Sequence, residues 1–179
     1  HTVMEIPHTF VAKMGDKGAQ IKEGTDILAG ESGLYELPTE PFGGLEQLSW
    51  SPDGRYIAYS CRKLEGKKYA FSTNTEIYLY DVKTGETSVI DMKGGYDTDP
   101  VWSPDGKKIC WISMERDGYE ADKQRLMIAS VENGDGDMPA VSGIKDITAE
   151  FKYNASGPVW SDDSKRIYFA ALAEGLQGI

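Results

Sequence analysis

The chain has 179 residues, of which 40% are hydrophobic, 11% aromatic and 27% charged, the balance of a globular protein with a sizeable core. Its 29 acidic residues outnumber 19 basic ones for a formal net charge of −10. That balance argues against a nucleic-acid groove, which needs clustered Lys and Arg, and reads as a solvated acidic surface. No apolar run approaches the ~18 residues of a membrane-crossing helix, so no membrane span is predicted.

The first elements are Pro7 to Met14 and Ala19 to Ile27, which flank Gly15-Asp16-Lys17-Gly18 as a hairpin. This predicts an outer half-blade over 1–28 and a connection over 29–44. The chain then becomes repetitive. Trp50-Ser51-Pro52-Asp53-Gly54 returns as Trp102-Ser103-Pro104-Asp105-Gly106, and a worn copy stands at Trp160-Ser161-Asp162-Asp163-Ser164. The tryptophans are 52 and 58 residues apart, the order of period of a four-stranded propeller blade. Ser, Pro, Asp and Gly are favoured in that order along a type I turn, with Pro presetting φ at the second position.

After each turn comes a matching strand: Arg55 to Tyr59, Lys107 to Trp111 and Lys165 to Phe169, with Ile57, Ile109 and Ile167 each seven residues past their Trp. Their β-branched and aromatic content predicts strands buried on both faces between stacked sheets. Third strands are read at Glu76 to Val82 and Arg125 to Val131, ending in turns at Lys83-Thr84-Gly85-Glu86 and Glu132-Asn133-Gly134-Asp135. Fourth strands follow near Thr87 to Met92 and within Met138 to Thr148. The fold predicted is all-β, a partial β-propeller of stacked four-stranded antiparallel blades. Whole blades are expected at 45–95 and 96–148, and an inner half-blade at 157–171. Two whole and two half blades cannot close a ring of four or more. The expectation is therefore a piece of a larger protein, whose open strand edges invite self-association.

Cys61 and Cys110 fall at different heights on second strands of neighbouring blades. Stacked sheets lie ~10 Å apart and a disulfide spans at most ~7 Å between Cα atoms, so both are read as core thiols. His1 and His8 are the only histidines, too few with two Cys for a zinc site or a Cys/His pair, and His8 is read as structural. The sequence lacks a G-x-S-x-G elbow, a phosphate-binding P-loop and H-E-x-x-H. Asn133, Asp135 and Asp137 imitate the start of a calcium loop, but Met138 stands where Gly is needed and Ile144 where a bidentate Glu is required. No catalytic residue, cofactor or metal site is predicted.

Two connections are longer than a hairpin needs, 62–75 and 113–123, and both join a second strand to a third. They should emerge side by side at one end of the blades, where binding tends to reside. The second carries Glu115, Asp117, Glu120 and Asp122 with Arg116 and Tyr119 between them.

Four runs carry a family resemblance: Ile6 to Ala12, Ser72 to Tyr78, Gly95 to Thr98 and Trp111 to Glu120. Together they resemble the propeller of bacterial serine peptidases of the prolyl oligopeptidase family, in the dipeptidyl peptidase V branch. The Trp-Ser-Pro-Asp-Gly repeats are shared with TolB-like propellers and are less specific. The resemblance implies a parent that joins this propeller to an α/β-hydrolase domain bearing Ser, Asp and His, a domain outside this chain. The chain alone is then expected to be inactive. Its expected role is gating, admitting short peptides as substrates, in a periplasmic or cell-surface enzyme. A dipeptidyl peptidase must also recognise a free α-amino group, and a carboxylate pair is a strong charge-assisted acceptor for it. Glu115 and Glu120 are the candidates, with Arg116 and Asp117 as neighbours. The rival reading is a non-enzymatic TolB-like propeller that binds a protein partner.

Overall fold

The computed structural model describes residues 5–15, 23–39, 43–91, 93–132 and 138–172. His1, Met92, the predicted Gly15–Gly18 turn beyond Gly15, and the Asn133, Asp135 and Asp137 run lie outside the described residues. Among the described residues, twelve strands form four antiparallel sheets. A two-stranded sheet pairs β1 (Phe10–Val11) with β2 (Thr25–Asp26). The first four-stranded blade orders β3 (Leu48–Trp50), β4 (Tyr56–Cys61), β5 (Glu76–Asp81) and β6 (Thr87–Val89). The second orders β7 (Tyr96–Trp102), β8 (Lys108–Met114), β9 (Arg125–Glu132) and β10 (Ala140–Asp146). A last two-stranded sheet pairs β11 (Ser156–Trp160) with β12 (Ile167–Ala170). The one α-helix among the described residues is α1 (Lys67–Phe71), and no helix there is long and apolar enough to cross a membrane.

The three Trp repeats build the same device. In each, the Trp pairs across the sheet with the Ile seven residues on: Trp50 with Ile57, Trp102 with Ile109, Trp160 with Ile167. The turn closes by a backbone bond, Gly54 N–H to Ser51 O at 2.9 Å, Gly106 to Ser103 at 2.8 Å and Ser164 to Ser161 at 2.8 Å. The fourth position has positive φ each time, 69° at Gly54, 70° at Gly106 and 58° at Ser164. The worn copy keeps the turn but puts a serine where glycine is easier. The motif serine hydroxyl donates to the motif aspartate at 2.6 Å in all three, Ser51 to Asp53, Ser103 to Asp105 and Ser161 to Asp163. That bond, with a backbone N–H two residues on, holds all three carboxyls below the usual aspartate range.

Strand alternation divides the core. On β4, Tyr56 and Ala58 face the second blade, where they meet Trp102, Ile109 and Trp111. Ile57, Tyr59 and Cys61 face the other way, onto Ile27, Leu28, Tyr35 and Leu37. On β8, Ile109 and Trp111 join the first of these clusters, while Cys110 and Ile112 pack with Ala155 and Trp160. A second strand sandwiched between sheets buries both its faces, which is why neither run alternates apolar with charged residues and why the polar Ser60 and Ser113 are buried too. The third copy departs from that expectation: β12 is mostly exposed. It pairs only with β11 among the described residues, so its outer side faces solvent.

The tryptophans differ for the same reason. Trp102 is 6% and Trp160 8% exposed, because each leans on the blade before it, Trp102 stacking on Tyr56 with ring centroids 6.4 Å apart. Trp50 is 51% exposed, since the sheet before it is the two-stranded β1–β2. Both cysteines are free and buried, and burial pushes each thiol up to about 12. His8 is structural, its Nδ1 2.6 Å from Asp26 Oδ2.

Candidate functional site

The turns between β3 and β4 and between β7 and β8 lie at one end of the blades, so the long connections lie at the other. The first, 62–75, includes α1, entered through Gly66 at φ 57°. Its base is set by Arg62, whose guanidinium lies 3.8 Å from the Tyr69 ring centroid, while the Tyr69 hydroxyl donates to Glu36 Oε2 at 2.7 Å. Past the helix the two connections meet. Asp117 accepts from the Ser72 hydroxyl at 2.6 Å and the Thr73 N–H at 2.8 Å, and the Gly118 N–H donates to Thr73 Oγ1 at 3.0 Å. Asp117 thus replaces water at two donors the first connection would otherwise leave open.

The second connection folds on itself. Arg116 is bidentate to Asp122, Nη2 to Oδ1 at 2.9 Å and Nε to Oδ2 at 3.2 Å, and its backbone N–H also reaches Asp122 Oδ2 at 2.9 Å. The hydrogen bonds from Arg116 hold the Asp122 carboxyl far below the usual carboxylate range. The Arg116 guanidinium also lies 4.0 Å from the Tyr119 ring centroid.

Of the four predicted site residues, two are therefore committed to the loop's own architecture. Arg116 is held by Asp122, and Asp117 fastens the neighbouring connection. Glu115 is 73% exposed, with Arg125 Nη1 3.4 Å away. Glu120 is exposed and has no hydrogen bond or ion pair among the described residues. No direct bond joins Glu115 to Glu120. A cleft of about 540 Å³ at this end is lined by Lys68, Phe71, Ser72, Asn74, Glu76 and Asp117, and by neither Glu115 nor Glu120. Phe71 and Tyr119 stand exposed at this end. Exposed carboxylates, apolar rings and a cleft suit the binding of a cationic, partly apolar ligand.

Sequence reasoning passed over Glu76 and Asp97. Both are buried, and although they fall within the runs Ser72 to Tyr78 and Gly95 to Thr98, nothing in those runs marks them as buried. Among the described residues, no group of three or more His, Cys, Asp and Glu side chains could hold a metal ion.

No family model matches the chain. It is 45% identical over 173 residues to dipeptidyl-peptidase 5 of Porphyromonas gingivalis, covering 96% of this chain and 24% of the relative. To dipeptidyl-peptidase 5 of Porphyromonas endodontalis it is 46% identical over 127 residues, covering 70% of this chain and 18% of the relative. The chain spans about a quarter or less of the length of these curated relatives. A solved structure described as putative TolB from Agrobacterium tumefaciens superposes with a TM-score of 0.53 at 18% identity, over 83% of this chain and 42% of that one. That likeness supports the propeller fold alone. Sheets of four strands around repeated Trp turns, with relatives matched along nearly the whole of this sequence, identify the chain as a β-propeller segment that corresponds to about a quarter of the length of dipeptidyl-peptidase 5.

Proposed function

We propose that this segment forms part of the wall through which short peptides reach the active site of a serine dipeptidyl peptidase. The observation that carries the reading is the 45% identity to dipeptidyl-peptidase 5 along 96% of the chain. The long connections serve as the gate, held in position by Asp117. Glu115 and Glu120 serve as acceptors for the substrate's α-ammonium group, with Arg116 and Asp117 holding the loop that presents them. Their lack of strong internal partners supports this assignment, because a carboxylate already saturated by an arginine has little left to offer a ligand.

In a full-length peptidase carrying this propeller, Glu115→Ala and Glu120→Ala should each raise KM for dipeptide-releasing substrates about tenfold, the loss of one ~1.4 kcal/mol interaction made in both ground and transition states. Steady-state kinetics with both variants indistinguishable from wild type would remove the carboxylates from the proposal. The gate is tested separately by Asp117→Ala, which should increase cleavage of longer substrates relative to short ones. The same reading includes a periplasmic or cell-surface home, drawn from the family resemblance. It also includes self-association of the chain through the exposed edge of β12, where Tyr168 is open to solvent. Light scattering that returns a monomer at high concentration would count against that association.

A further inference from the structure

The Trp turns recur, but the residues packed between neighbouring turns differ. Tyr56 and Lys108 occupy equivalent places, six residues past Trp50 and Trp102. At the Lys108 junction the next sheet is bonded to the blade before it. Lys108 Nζ lies 6.0 Å from the Trp160 ring centroid, and the Trp160 indole N–H donates to Val101 O at 3.1 Å. The Ser164 hydroxyl adds a second bond there, accepting from the Asp105 N–H at 3.0 Å. At the Tyr56 junction neither bond forms. The equivalent Trp102 stacks on Tyr56 instead, and the place of Ser164 is taken by Gly106, which has no hydroxyl to give. Tyr56 is 1% and Trp102 6% exposed, yet the Tyr56 hydroxyl and Trp102 Nε1 are both buried without a hydrogen-bond partner.

Between the two turns of this junction lies a cleft of about 630 Å³, lined by Pro52, Asp53, Tyr56, Trp102, Asp105 and Val131. That is an ordinary size for a small-ligand site. An indole N–H can only donate, and burial raises the Tyr56 phenol, which therefore keeps its proton as well. Two donors left unmet in a buried place are costly, so a molecule that brings acceptor oxygens to them gains more than it would at an exposed surface. The charges at the mouth narrow the choice. Asp53, Asp105 and Glu132 are exposed there against Lys107, while Lys108 is turned to Trp160. An anion is repelled by that excess of carboxylates, and a simple cation leaves both donors unmet. An amide answers both, since its carbonyl accepts and its N–H donates. Asp53 and Asp105 each give Oδ1 to their own turn, which leaves Oδ2 of each open to such a donor.

We infer that the cleft between the first two Trp turns is a binding site for a neutral amide, a short uncharged stretch of peptide. Its carbonyl oxygens accept from the Trp102 indole and the Tyr56 phenol, and its N–H groups donate to the carboxylates at the mouth. Pro52 and Val131 supply the apolar wall. The site lies at the opposite end of the blades from connections 62–75 and 113–123, so it stands or falls independently of the gate proposed there.

The test is a titration of the chain, labelled with nitrogen-15 at its tryptophans, with N-acetyl-alanyl-alanine amide, followed by proton–nitrogen NMR of the indole groups. The Trp102 signal, assigned by its loss in Trp102→Phe, should move and saturate with a Kd of about 1 mM, the scale for so small a ligand, while those of Trp50 and Trp160 stay in place. Tyr56→Phe keeps the ring that stacks on Trp102 and removes only the hydroxyl, and should weaken binding about fivefold. Gly106→Ser copies the residue at position 164 and leaves both donors intact. A Cβ there comes within 3.7 Å of Pro52 Cδ, so this variant should narrow the mouth and also weaken binding. Should Tyr56→Phe fail to fold, Gly106→Ser decides. The inference is overturned if the Trp102 signal does not respond at about 50 mM amide, since water then suffices for the donors, or if Tyr56→Phe and Gly106→Ser titrate as wild type does. It is equally overturned if the free acid N-acetyl-alanyl-alanine binds more tightly than the amide, because Lys107 would then be the anchor and the ligand an anion.

Discussion

At one end of the blades the chain reverses three times through turns with the same bonds: Ser51 to Asp53, Ser103 to Asp105 and Ser161 to Asp163, each at 2.6 Å. At the other end, connections 62–75 and 113–123 share neither sequence nor shape, and Asp117 of one is bonded to Ser72 and Thr73 of the other. The repeated end is mostly self-sufficient, since each turn closes its own serine and aspartate bonds within six residues, although the Asp105 N–H also donates to the Ser164 hydroxyl of the next turn at 3.0 Å. The unrepeated end is held by bonds between blades. The difference separates scaffold, which recurs, from the part free to specialise.

The sharpest way to break this contrast is to add one methyl group at each end. At Gly95 φ is 109° and a Cβ would run into the Met114 carbonyl oxygen, so Gly95→Ala should cost ~3 kcal/mol or more. At Gly54 φ is 69° and nothing lies within 4 Å of the added methyl, so Gly54→Ala should cost only about 1 kcal/mol of αL strain. Urea unfolding of the two variants measures both, and equal losses would erase the distinction. A smaller effect separates the side chains. Ser103→Ala removes a buried hydroxyl that serves Asp105 and the Lys108 N–H, and should cost about 1–2 kcal/mol of global stability. Asp117→Ala should cost less globally but raise hydrogen exchange at Thr73 and Gly118, the local signature of an unfastened loop.

The smallest expected effect is acid sensitivity of the turns. Asp53, Asp105 and Asp163 have depressed pKa values, so their contribution is present above the unfolded value of ~3.9 and disappears as pH falls through the folded values. Ser103→Ala should show a shallower acid loss than wild type, read from unfolding midpoints between about pH 5 and about pH 2.

The repeated end was legible because its information is local. Trp, Ser, Pro, Asp and Gly within five positions specify both the turn and the register of the next strand, so Trp102 could be aligned with Ile109 from spacing alone. The candidate site was legible only as a location. That Arg116 would spend its charge on Asp122 depends on how 113–123 folds back, which no periodicity encodes. The burial of Asp97 depends on Thr75, 22 residues earlier, arriving beside it. The exposure of β12 and of Trp50 is likewise invisible in the repeat, because burial in a propeller is conferred by the neighbouring sheet.

That β4 divides its side chains between two clusters, and β8 does the same, has a dynamic consequence. No blade owns its core, so each is stable only to the extent that its neighbours are formed, as in a one-dimensional array with nearest-neighbour coupling. Fluctuations should fray inwards from the β1–β2 and β11–β12 pairs, and the Tyr56, Trp102 and Trp111 layer should be the last to open.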